Sequence, residues 1–245
     1  MSDEDLYFPM QAEIGVTKHA GGANATDKLI RLCKINKNSN VLVVGSGTGA
    51  SCDYIKKQTA CNLTGIDLSK AMVESAKKKY PNIKFKVENA EKLSFKNNTF
   101  DAIISESVTA FTDKTKSIKE YGRVLKKGGY LGLNESTWIT PPTEEIKLLA
   151  KRSLRGVMPE NKETWEKLIK DFEIITSETH ILRIRDSFSE ARLNGIKVYF
   201  TAIPKFFKLY LNKRYRRYIN GLLKDSIKLF KLSKAFGYGI YVGKK

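Results

Sequence analysis

Val41-Leu-Val-Val-Gly-Ser-Gly-Thr-Gly49 is the stretch that decides the fold. Four apolar residues, three of them β-branched, read as a buried strand, and the glycines turn the chain straight into a helix expected over Gly49–Lys57. Gly45 permits a tight turn, and Gly47 lets backbone approach a ligand with no side chain between. Gly49 allows the helix to pack closely on the strand. The glycines follow G-x-G-x-G, not the G-x-G-x-x-G of a dinucleotide site, which suits a ligand with no pyrophosphate to cradle. Asp67, 18 residues past Gly49, closes Gly65-Ile-Asp67 at the end of the next strand, where a carboxylate accepts the hydroxyls of a ribose.

Working outward, β-branched runs alternate with amphipathic helical runs from about residue 24 to 138, the pattern of a parallel sheet covered by helices. Strands are expected at Asn40–Val44, Asn62–Ile66, Ile83–Glu88, Asp101–Ser105 and Tyr130–Asn134. Helices are expected at Ser69–Tyr80 and Lys114–Lys126, the latter closed by Lys127-Gly-Gly129. Asn24 or Thr26 is suited to cap an earlier helix reaching about Leu32. Beyond Trp138 and the break at Pro141-Pro142, helices are expected from Thr143 and from Asn161 to Lys170. A strand follows at Glu173–Ile184, then helices near Ser187–Tyr199 and Pro204–Lys231, and a last short strand at Tyr238–Val242.

The order of these motifs resembles the class I S-adenosylmethionine-dependent methyltransferases, and within them the small-molecule branch that includes the quinone-biosynthesis enzymes. The resemblance spans roughly Asn24–Trp138. It rests on Val41–Gly49, Gly65-Ile-Asp-Leu-Ser69, Val87-Glu-Asn-Ala-Glu-Lys-Leu-Ser-Phe95, Phe100-Asp-Ala-Ile-Ile-Ser105 and Tyr121-Gly-Arg-Val-Leu-Lys-Lys-Gly-Gly-Tyr130. It implies one α/β domain over residues 1–245, built on a Rossmann-like, seven-stranded, mostly parallel sheet flanked by helices. The last strand would run antiparallel. The core would comprise about 24–138, 161–184 and 236–245, with a helical lid over about 185–235 inserted before that strand. It also implies S-adenosylmethionine as cofactor. Gly45, Ser46, Gly47, Thr48 and Gly49 would cradle its methionine part, and Asp67 would hold the ribose. Leu68 would lie on the adenine face, Asn89 and Ala90 at the adenine edge, and Ser105 beneath the sulfonium. Two positions depart from the family pattern: Val43 and Asn89 stand where acids are usual. The Asn89 carbonyl oxygen retains the ability to accept from an adenine amino group.

Methyl transfer is an in-line displacement, so positioning and removal of the acceptor's proton carry the catalysis. The acceptor is expected at the carboxyl ends of the strands. There Ser105-Glu106-Ser107 and Leu133-Asn134-Glu135-Ser136 end the fourth and fifth strands, so Glu106 and Glu135 are expected to border one cavity, as a general base or as partners of an acceptor amine. His19, with Tyr7, belongs to an N-terminal segment that in the family closes over the cofactor, and histidine suits a base near neutral pH.

The composition narrows the classes. At 245 residues with 41% hydrophobic content, the chain can bury a real core, and no apolar run reaches the roughly 20 residues of a membrane span. The acidic start Met1-Ser-Asp-Glu-Asp lacks the order of a secretory signal, and a cytoplasmic protein is expected. Three unpaired cysteines (Cys33, Cys52, Cys61) and two distant histidines give neither a disulfide framework nor a metal site. The net charge of +18 is uneven: residues 1–150 hold 22 Lys and Arg against 17 Asp and Glu, residues 151–245 hold 22 against nine. The basic, aromatic C-terminal helices read as a lid that also suits an anionic membrane surface delivering a lipid-like acceptor. Nucleic acid is the rival partner, together with RNA methylation. Against it, the fourth strand ends in Ser-Glu-Ser and not in the Asn/Asp-Pro-Pro-aromatic run of base-amino methyltransferases. A non-catalytic S-adenosylmethionine-binding module is the remaining alternative, and the oligomeric state is not legible.

Overall fold

Strand runs whose faces are both apolar must be covered on both sides, and helices do so here. The computed structural model describes residues 6–16, 18–154, 157–232 and 235–245. In chain order they form α1 (Tyr7–Ile14), α2 (Gly22–Leu32), β1 (Asn40–Val44), α3 (Ala50–Thr59), β2 (Asn62–Asp67) and α4 (Lys70–Lys79). Next come β3 (Lys84–Val87), β4 (Phe100–Glu106), α5 (Lys114–Val124), β5 (Leu125–Trp138), α6 (Glu144–Ser153) and β6 (Glu160–Asn161). The chain ends with α7 (Lys162–Leu168), β7 (Glu173–Ile181), α8 (Ile184–Asn194), α9 (Ile196–Leu211), α10 (Lys213–Leu232) and β8 (Phe236–Lys244).

The sheet runs in the order β3-β2-β1-β4-β5-β8-β7. The first five strands pair in parallel, whereas β8 lies antiparallel to both β5 and β7. This is the expected seven-stranded path, and the two-residue β6, pairing with β5 off the path, makes an eighth strand. The order reverses direction between β1 and β4, the switch point at which α/β sheets open a ligand crevice.

Alternation sorts the strand residues onto two faces. Val41, Val43, Ala102, Ile104 and Ile240 pack under α2, α3 and α4 with Leu29, Cys52, Ile55 and Val73. Leu42, Val44, Ile103, Leu131, Leu133 and Tyr241 pack under α5 and α7 with Ile118, Tyr121, Trp165 and Ile169. The three cysteines are buried free thiols.

Three local expectations are revised. Gly21 caps α2 and no side chain does, because Thr26 turns inward to a carboxylate. The helix before β5 ends at Val124 and not at the glycines. Gly128 (φ +79°) instead lies within β5, where Gly128 N–H donates to the Lys245 carbonyl at 2.7 Å and Lys245 N–H to Gly129 at 2.9 Å. Strand pairing thus supplies partners that a helix C-cap would forgo. Pro204 lies inside α9, so the helical region breaks at Gly195 (φ +74°) and at Asn212, whose Oδ1 accepts the Arg214 N–H at 2.9 Å. Among the described residues, no helix is long and apolar enough to cross a membrane.

Candidate functional site

The glycine loop between β1 and α3 is held in left-handed backbone: Gly45, Gly47 and Gly49 have φ of +65°, +51° and +91°. A Cβ on Gly45 would meet the Val108 side chain at 2.1 Å, whereas one on Gly47 would enter open space. Gly45 is therefore needed for packing, and Gly47 leaves bare backbone facing outward. The Ser46 hydroxyl is buried with no hydrogen-bond partner. Thr48 Oγ1 is 3.4 Å from the Gly15 carbonyl, which brings the end of α1 onto the loop.

Asp67 ends β2 beside this loop. Its Oδ2 accepts the Gly47 N–H at 2.9 Å and its Oδ1 the Ser69 N–H at 2.8 Å. Burial pushes its carboxyl above the ordinary carboxylate range, and the two backbone donors pull it back. The carboxylate fixes the loop while keeping lone pairs for a ligand. Leu68 next to it is 72% exposed, an aliphatic face on the rim. Asn89 Oδ1 accepts the Glu91 N–H at 2.9 Å, and Ala90 is buried.

Beyond the switch point, four groups meet on the α2 side of the sheet. The Thr26 hydroxyl donates to Glu106 Oε1 at 2.9 Å, and His19 Nε2 stands 3.5 Å from Glu106 Oε2. Asn134, paired with Glu106 across β4 and β5, donates its amide to the Ala20 carbonyl at 2.8 Å. Because that carbonyl only accepts, the Asn134 amide nitrogen must face this way, and it lies 3.3 Å from His19 Nδ1. Nδ1 also lies 3.4 Å from the Ala20 carbonyl, and Nε2 faces Glu106. All four side chains are buried, yet Glu106 Oε2 and Asn134 Oδ1 have no hydrogen-bond partner. Neither Thr26, read as a helix cap, nor Asn134 was expected as a site residue. The signal for Asn134 was its place at the end of the fifth strand, beside Glu135.

Glu135 and Ser105 lie on the opposite face. Glu135 is fully buried; its Oε1 accepts the N–H groups of Thr109 at 2.7 Å and Val108 at 3.2 Å. Burial pushes its carboxyl up to about 7 despite those bonds. It thus props the turn after β4, which Ser107 enters at φ +59° and in which Val108 packs over Gly45. Ser105 is buried, with its hydroxyl 2.8 Å from Thr109 Oγ1. Glu106 and Glu135 therefore do not share a cavity wall; the sheet separates them.

Of the C-terminal helices, α8 packs on α2 and α3 beside this cluster. Arg192 on α8 reaches Asp27 at 2.9 Å, the Tyr54 hydroxyl at 2.8 Å and Asn24 at 3.1 Å, and Ser189 donates to the Gly21 carbonyl at 3.0 Å. α8 is thereby tied over the segment that carries His19. α1, which begins at Tyr7, lies between α4 and α9.

Residues 42–133 match the family described as a methyltransferase domain. Over that stretch the chain is similar to a methyltransferase domain. It is 34% identical over 124 residues to a demethylmenaquinone methyltransferase of Chlorobaculum parvum, covering 50% of this chain and 51% of that protein. The chain thus aligns with about half the length of the first curated relatives it matches. Among solved structures, the domain superposes with a TM-score of 0.75 on the [4+2]-cyclase SpnF, at 20% identity over 100% of this chain and 97% of that one. It superposes with 0.73 on phosphoethanolamine N-methyltransferase 2 of Haemonchus contortus in complex with S-adenosyl-L-methionine, at 20% identity over 98% of this chain and 57% of that one. At such identities the structural likeness establishes the fold, and fold alone does not fix chemistry.

Proposed function

We propose that the protein is an S-adenosylmethionine-dependent methyltransferase acting on a small or lipid-like acceptor, with His19, oriented by Glu106 and Asn134, as the proton acceptor. The observation that carries the reading is the buried cluster His19–Glu106–Thr26–Asn134 at the carboxyl ends of β4 and β5, beside a glycine loop whose central residue opens onto free space. The residues fit the cofactor. Gly47 offers bare backbone, Ser46 an unsatisfied buried hydroxyl, Asp67 lone pairs for a ribose, and Leu68 an exposed apolar face for a purine. When bound, S-adenosylmethionine supplies an electrophilic methyl group on a sulfonium. Gly45–Gly49 and Asp67 would hold and orient it, and Asn89 and Ala90 would bound its adenine end. Ser105 and Glu135 act from beneath, through the turn that seats Val108 on Gly45.

His19 would take the proton that the acceptor gives up on methylation. The Glu106 carboxylate, 3.5 Å from Nε2, stabilises the imidazolium that results. The proton would go to the ring nitrogen that holds none, so that the imidazolium keeps an N–H facing Glu106 and the carboxylate stays ionised. Burial under α8 would exclude water from the His19–Glu106 pair and strengthen it. The domain organisation fits the same proposal: α8, α9 and α10 form a lid over a core that β8 completes.

The test is untargeted. Protein, methyl-labelled S-adenosylmethionine and a cell extract are incubated, and labelled products are identified by mass spectrometry. A labelled small molecule or lipid, absent with His19→Ala, is the expected result. Label only in RNA, or none at all, overturns the proposal.

A further inference from the structure

We propose that α9 is a membrane-docking face that inserts its outer stripe into the surface of an anionic bilayer. Phe200, Ile203, Phe207 and Leu211 are 70%, 52%, 62% and 79% exposed. Their spacing places them within about a quarter-turn arc of one helix face, with the exposed Pro204 among them. The opposite side of the helix carries Ala202, which is buried, and Val198 and Leu209, which are half-buried. α9 therefore satisfies its packing with one face and still presents a second apolar one. Four large apolar side chains in a row on a surface mark an interaction site and are not ordinary scatter.

Charge selects the occupant. From Ile196 to Leu232 the chain holds ten Lys and Arg and one acid, Asp225. Lys197 and Lys208 flank the stripe on one side, and Lys213, Arg214, Arg216 and Arg217 follow its end; all are exposed. A second copy docking stripe to stripe would bring these like charges together, whereas anionic headgroups complement them. Phosphates of a nucleic acid would match the lysines but gain nothing from Ile203 and Leu211, which an acyl boundary buries favourably. α9 also lies against α1, whose end touches the glycine loop, so docking would set the lid beside a lipid source. The inference extends the reading of a lipid-like acceptor, but its test needs no turnover.

The full chain is sedimented with vesicles of phosphatidylcholine alone and of phosphatidylcholine with phosphatidylglycerol, at low and high salt. Binding to the anionic vesicles only, weakened by salt, is expected. Phe200→Ser/Phe207→Ser should reduce it by about tenfold or more, and Lys197→Gln/Lys208→Gln by a smaller factor. Both pairs are exposed, and circular dichroism checks that the fold survives. Wild-type protein that stays in the supernatant overturns the proposal. So does phenylalanine-pair binding equal to wild type, or a concentration-dependent dimer that the phenylalanine pair abolishes.

Discussion

Glu135 should make the protein less stable as pH rises through neutrality, and Glu135→Gln should remove that dependence. The side chain is fully buried, and its carboxyl is raised from 4.5 to about 7, chiefly by loss of hydration. Between those values the folded chain holds a proton that the unfolded chain has released, so acid favours folding in this window. The stability so contributed is fully present below pH 4.5 and lost as pH rises through about 7. Integrated from pH 5 to pH 8, the loss is about 2–3 kcal/mol. Glutamine keeps an oxygen for the Thr109 N–H but places an amide where Oε2 has no partner. That imposes a constant cost of about 1–3 kcal/mol without a pH slope. Urea unfolding followed by tryptophan fluorescence, with the buried Trp165 as reporter, yields both stabilities at each pH. In the difference between variant and wild type, every other titrating group cancels. The difference should move in favour of the variant by about 2–3 kcal/mol from pH 5 to pH 8. A flat difference would show that Glu135 is ionised in its seat across the range, and the reasoning would fail.

Three further perturbations address the site. Asp67→Ala should abolish S-adenosylmethionine binding in calorimetry, and by orphaning the Gly47 and Ser69 N–H groups it should also cost about 1–3 kcal/mol of stability; unchanged affinity would refute the cofactor assignment. Gly45→Ala collides with Val108 and should cost roughly 2–5 kcal/mol, whereas Gly47→Ala should cost only about 1–2 kcal/mol yet weaken the cofactor at least about tenfold; equal stabilities with normal binding by Gly47→Ala would contradict the different tasks given to these glycines. His19→Gln and Glu106→Gln should each lower kcat about a hundredfold on the acceptor found by labelling, and the double variant should be little worse, because the two act as a unit; wild-type turnover in either would remove the base.

The sheet was legible because its signals are local. Val41–Val44 announces a buried strand, the glycines its turn, and Asp67 the end of the next strand, without knowledge of any distant residue. The site was less legible because its geometry depends on register. Whether Glu106 and Glu135 share a face follows from Glu106 pairing with Asn134, and nothing in either strand alone specifies that pairing. Thr26 reads as a helix cap from its neighbourhood, yet Glu106, 80 positions away, claims its hydroxyl. Pro204 reads as a helix start because it suits a first turn, but the ring sits on the outer face of α9, where the lost bond falls toward solvent.

Because fold does not set the reaction, the weight falls on how adjacent strand residues are used. Asn134 and Glu135 are neighbours, and alternation sends them to opposite sides of the sheet. Asn134 meets the His19 ring at Nδ1 from one side. Glu135 fixes the turn after β4 from the other, and that turn places Val108 on Gly45. One strand end thereby sets both the proposed base and the proposed cofactor loop. A shift of β5 by one residue would exchange the two side chains and misplace both partners together. The antiparallel β8 opposes that shift, since it pairs with β5 from Tyr130 to Trp138 and is itself held by β7. The C-terminal strand therefore belongs to the proposed catalytic geometry although none of its residues lies in the proposed base cluster.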